Sequence, residues 1–102
     1  MIPSIYATHL WDKKQEGGDD TVKIYRPDGR CNVSGDKVRA ARERASISQE
    51  QLAAKIQLAG LSITQKAISR IETGERVVAD YELEFLARAL AVTVYDLLGI
   101  EE

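Results

Sequence analysis

Five side chains within one short stretch, Gln65, Lys66, Ser69, Arg70 and Thr73, can all donate hydrogen bonds, and none is acidic. Their spacing puts them on one face of a helix, since residues three and four apart stack above each other. The chemistry open to such a face is recognition of a double helix. Glutamine pairs bidentately with adenine, and arginine or lysine with guanine, along the major groove. Gln49 opens another predicted helix, where amide donors and the positive end of the dipole favour a phosphate. Arg76, in the loop after Gly74, lies on the same side and is placed to meet a further phosphate. The plainer alternative is a solvated helix face, although such faces more often mix in Asp or Glu for intrahelical pairs.

Two further charges stand where apolar residues are expected. Arg42 shares a face with Val38, Ala41 and Ala45, and Glu72 shares one with Ile68 and Ile71. An unpaired buried charge is strongly destabilising, so the simplest consistent arrangement is that the two meet as a bidentate ion pair. That pair would fix the angle between their helices. The other arrangement puts both at the edge of their stripes, reaching water.

The elements that must position these residues are all helical. Ser34 is the expected cap of a first helix, and Ser48 starts a second with Gln51 completing a capping box. Leu52, Ala53, Ile56 and Ala59 form the second stripe, and Gly60 is a natural stop. Thr64, or Ser62, caps a third helix that ends at Gly74. Asp80 is the expected cap of a fourth, in which Leu83, Leu86, Ala87 and Leu90 recur at helical spacing. Thr93 with Asp96 opens a short fifth, closed by Gly99. No segment after Ser34 alternates like a strand. Residues 34–102 therefore read as an all-α, five-helix domain, near the lower practical size for a single core.

Residues 1–33 read as an irregular extension. Gly17-Gly18-Asp19-Asp20 breaks regular structure, and Pro27-Asp28-Gly29 signals a turn. Val22, Ile24 and Tyr25 before that turn, with Cys31 and Val33 after it, could pair as a hairpin. An isolated hairpin is marginal in water, so an extended or disordered arm is expected. Ile2, Ile5, Tyr6, Leu10 and Trp11 give the arm apolar groups that could dock on the domain or on a partner.

The 102 residues and 11.3 kDa fit one domain, and an aromatic content of 6% requires an aliphatic core. No apolar run is long enough to span a bilayer, and no basic-then-apolar leader opens the chain, so the cytoplasm is the expected location. One cysteine excludes an internal disulfide, and one histidine leaves little for zinc. Cys31 reads as an inert thiol. With no glycine-rich phosphate loop and no nucleophile beside a base, neither an enzyme nor a cofactor is expected. The net charge of −2 argues against indiscriminate nucleic-acid binding. It is unevenly spread: residues 35–76 carry eight basic and five acidic residues, whereas 77–102 carry one basic and six acidic. Any polyanion would meet the middle block.

The run from Asp36 to Gly99 resembles the Cro/CI-type (XRE) helix-turn-helix domain of bacterial and phage repressors. The resemblance rests on "KVRAARERASISQEQLAAKI" and "ITQKAISRIETGERVVADYELEFLARALAVTVYDLLG" taken together. Most telling are Gln49 before Leu52-Ala53, the string from Ile68 to Gly74, and Leu90, Val92, Leu97 and Leu98. It implies a lambda-repressor-like fold whose second and third helices form the helix-turn-helix, with the third (about 65–73) in the major groove. It also implies a phosphate contact at Gln49, base-edge contacts at Gln65, Lys66 and Arg70, and backbone or base contacts at Thr64 and Ser69. Arg42 and Glu72 match an ion pair known in the family. The implied function is a sequence-specific transcriptional regulator, a repressor by family habit, acting as a homodimer on a double-stranded operator. Val94, Tyr95, Leu98 and Ile100 are candidates for the dimer interface, or else simply close the core. The alternative function is a protein-interaction module, such as an antitoxin-like adaptor on the same scaffold. The chain departs from the pattern at "QLAGLSI", which adds about five residues, more than one helical turn, before the third helix. There Leu58, Leu61 and Ile63 are available to pack the turn.

Overall fold

Ser48, Thr64 and Thr93 each stand one residue before a helix and accept a bond from a backbone N–H inside it. The donors are Gln51, Ala67 and Asp96, each at 3.0 Å. At Ser48 and Thr93 the bond is reciprocated by the Gln51 and Asp96 side chains. These caps start three of the five helices in the computed structural model, which describes residues 26–101. In chain order the helices are α1 (Gly35–Arg44), α2 (Gln49–Leu58), α3 (Gln65–Glu72), α4 (Asp80–Leu90) and α5 (Val94–Leu98), preceded by a single 3-10 turn at Pro27–Gly29. There is no strand among the described residues. The first half of the possible hairpin, Val22–Tyr25, and the apolar residues at 2–11 lie outside them, while Cys31 and Val33 are in no strand.

Two expected caps are corrected. The Ser34 side chain makes no capping bond. Instead Asn32 Oδ1 accepts the Gly35 N–H at 2.8 Å, from a residue expected to belong to the arm. Asp80 is the first residue of α4 rather than its cap, which is Ala79. Alanine offers no acceptor, and Glu82 Oε1 reaches back to the Ala79 N–H at 3.0 Å.

The helices stop in a common way. After α2, the Leu61 N–H reaches Ile56 O and the Gly60 N–H reaches Gln57 O. After α3, Glu75 reaches Arg70 O and Gly74 reaches Ile71 O. This doubly bonded closure requires a left-handed residue just past the helix, supplied by Gly60 at φ 113° and Gly74 at φ 84°. Ser46 and Ala91 take the same region without being glycine.

The core is aliphatic: Val38, Leu52, Ile56, Ile68, Ile71, Leu86 and Leu97 are fully buried. Helix α1 packs on α3, α4 and α5, α2 packs on α3 and α4, and α4 packs on α5. Ala45 and Ala59, expected on inward stripes, are exposed, each being the cap one residue past the end of its helix.

Candidate nucleic-acid interface

Arg42 on α1 and Glu72 on α3 meet. The guanidinium donates from Nε to Oε2 at 2.7 Å and from Nη2 to Oε1 at 3.1 Å, with side chains 13% and 3% exposed. Its remaining terminal nitrogen donates to Ile47 O at 3.0 Å. Bonding to the carboxylate raises the arginine pKa further, so the Arg42 guanidinium keeps its charge. No buried side-chain polar atom among the described residues lacks a partner.

A relay runs outward from this pair. Gln49 Nε2 donates to Glu72 Oε1 at 2.9 Å, and Gln65 Nε2 donates to Gln49 Oε1 at 2.7 Å. Both Glu72 oxygens accept from donors, so the Gln49 amide must turn its nitrogen inward and its oxygen toward Gln65. Gln65 must then give one N–H to Gln49. Its Oε1 and second N–H have no partner among the described residues, and they are the pair of groups that matches an adenine edge.

Beyond Gln65 the outer side of α3 is open. Lys66, Arg70, Thr73 and the preceding Thr64 are exposed, and Ser69 is half-buried. Arg70 is within 3.8 Å of Glu75, a loose surface pair. The face is convex. A groove of about 330 Å³ lies elsewhere, between α1 and α5, lined by Lys37, Ala40, Ala41, Arg44, Val92, Asp96 and Leu97. No cluster of three or more His, Cys, Asp or Glu gathers among the described residues. Nor is any helix there long and apolar enough to cross a membrane.

Arg76 stands in the loop after Gly74, as expected, but its guanidinium is bonded within the protein. Its two terminal nitrogens grip Glu82 at 2.8 Å each, and one also donates to Val77 O at 3.0 Å. The bond to Arg76 is the main reason the Glu82 carboxyl titrates below the ordinary glutamate range, despite its burial. Arg76 thus fastens the loop to the start of α4, and its guanidinium is committed. The sequence reading also missed Arg30 and Asn32, whose side chains reach the end of α3. Donors aimed at backbone carbonyls leave no periodic mark in a sequence, which is why neither stood out.

Helix α2 has 10 residues, and six more (59–64) separate it from α3. Ile63 is buried and Gln57 Nε2 ties down its carbonyl at 2.6 Å. Leu61 is half-buried, but Leu58, expected to help pack the turn, is 91% exposed. A helix-turn-helix family model matches residues 38–97, more than half of the chain. The chain belongs to the Cro/CI-type (XRE) helix-turn-helix family. The family is one of DNA-binding helix-turn-helix regulators. Searches of curated proteins and of solved structures returned no match.

Proposed function

We propose that this helix-turn-helix protein is a sequence-specific transcriptional repressor of the cytoplasm that lays α3 in the major groove of an operator. The observation that carries the reading is the acid-free outer face of α3, with Gln65 held by the relay from the buried Arg42–Glu72 pair. A side chain held in place before binding loses less freedom on contact, which favours a defined base over any base. Gln65, Lys66 and Arg70 take the base edges, and Thr64 and Ser69 take backbone or base oxygens. Gln49 serves through the phosphate-facing start of α2, its side-chain amide being occupied within the protein. Two copies bind a pseudo-palindromic site, joined through α5 and the tail, where Tyr95 and Ile100 are exposed.

The test is selection of bound duplexes from a random pool by the full chain. The expected result is a consensus of two inverted half-sites, about one helical turn apart centre to centre. Gln65→Ala combined with Lys66→Ala should erase the preference at two or more positions of each half-site. Enrichment of the same sequences by the double variant would overturn the groove assignment. A pool that yields no consensus with the unaltered protein would remove sequence-specific binding altogether.

A further inference from the structure

The last carbonyls of a helix have no partner within it and must find donors elsewhere. At the end of α3, four successive carbonyls receive donors from three successive residues of the preceding segment. Asn32 Nδ2 donates to Ile71 O at 3.0 Å. Arg30 donates through Nη2 to Glu72 O and through Nη1 to Thr73 O, each at 3.4 Å. The Cys31 N–H donates to Gly74 O at 2.8 Å. Asn32 does more, giving its second amide hydrogen to Arg76 O at 2.7 Å and accepting the Gly35 N–H with Oδ1. One amide therefore closes the end of α3, holds the loop behind it and caps the start of α1.

The surrounding backbone is shaped to admit this run. A Cβ on Gly74 would come within 2.7 Å of Arg30 Cζ, and one on Gly35 would collide with Ile71 O. The Arg30 guanidinium also lies 3.4 Å from Asp36 and sets a positive charge at the negative end of the α3 dipole. All of these donors precede residue 38, where the family match begins.

We propose that Asn32, supported by Arg30, is a positioning residue for the recognition helix, setting how α3 is presented to DNA. The proposal rests on the DNA-binding reading above. Helix α3 is only eight residues long, about 12 Å. Its first residue is tied to α2 through Gln49, and its last to α1 through Glu72. The carbonyl end beyond Glu72 is held by Arg30–Asn32. A displacement there tilts the whole short helix and moves Gln65, Lys66 and Arg70 against their bases. It removes no contact to DNA itself.

Asn32→Asp in the full chain separates the roles. It keeps the acceptor for Gly35 and sets a carboxylate oxygen against the carbonyls of Ile71 and Arg76. Affinity is measured for the selected operator and for unrelated duplex, well below the melting temperature of each protein. The expected result is a fall of about tenfold in the ratio of specific to non-specific affinity, the low end of losing one bidentate base contact. The salt dependence of non-specific binding should stay unchanged, since no phosphate contact is lost. A merely structural role would lower both affinities by the same folded fraction and leave the ratio intact. An unchanged ratio would therefore reject the proposal. Should Asn32→Asp not fold, Arg30→Met is read by the same two outcomes. If the unaltered protein selects no operator, the DNA reading fails first and the proposal falls with it.

Discussion

A charge on an apolar stripe must be compensated, and this makes Arg42 and Glu72 the most legible part of the site. The pair stands where Val38, Ala41, Ile68 and Ile71 are buried around it, and Glu72 is almost inaccessible to water. Removing one partner of such a pair leaves the other uncompensated. Glu72→Ala should destabilise the domain by about 3 kcal/mol or more, because Arg42 keeps only the Ile47 carbonyl. For a domain of this size that lowers the melting temperature by at least ~10 °C, read by thermal or urea denaturation. An unchanged transition would show that water reaches Arg42 freely. The residues that could not be read are those whose partners lie across a turn of unpredictable length. Gln49 and Gln65 are 16 positions apart, and the extended connection between α2 and α3 decides whether they touch. Arg76 looked free because its hold on Glu82 depends on the loop folding back onto α4.

At the scale of elements, helix starts were legible wherever the cap is carried by the adjacent residue, as at Ser48, Thr64 and Thr93. They were misread where the acceptor comes from elsewhere, at α1 from Asn32 and at α4 from Glu82. Helix ends marked by Gly60, Gly74 and Gly99 were equally plain, since glycine enters the left-handed region at no steric cost. Helix α4 ends without that signal: Ala91 sits at φ 58°, ψ 40°, and Val92 still closes onto Ala87 O. An L-residue there is disfavoured by about 1–2 kcal/mol relative to the right-handed region. Ala91→Gly should therefore stabilise the protein by about 1 kcal/mol, part of the relief being lost to the freer unfolded chain. Gly60→Ala should do the reverse. Its Cβ would enter open space, so only the backbone conformation is penalised. Chemical denaturation midpoints of the two variants, compared with unaltered protein, would contradict this account if they moved together.

For the molecule as a whole, the question is how a chain of net charge −2 holds a polyanion. Within residues 35–76, Arg39, Arg42 and Arg76 are already on carboxylates of the same chain. On the outer side of α3 that leaves Lys66 and Arg70, the latter only loosely near Glu75. Few phosphates can then be neutralised per copy. With two or three phosphates engaged, the logarithm of affinity should fall against the logarithm of salt with a slope of about −2 to −3. Two copies on one operator should double that to about −4 to −6, because each brings its own cations. Titrating operator binding from low to moderate salt reads the number directly, and half-site duplexes supply the single-copy value. Equal slopes for the half-site and the full operator would mean that a lone domain binds, against the paired arrangement. A slope near zero would mean that phosphates are not engaged at all, and would favour an antitoxin-like adaptor that binds protein on the same scaffold. Weak electrostatics make the first distinction sharp. With so little non-specific attraction per copy, a second copy must come with its own contacts, and those contacts must show in the salt dependence.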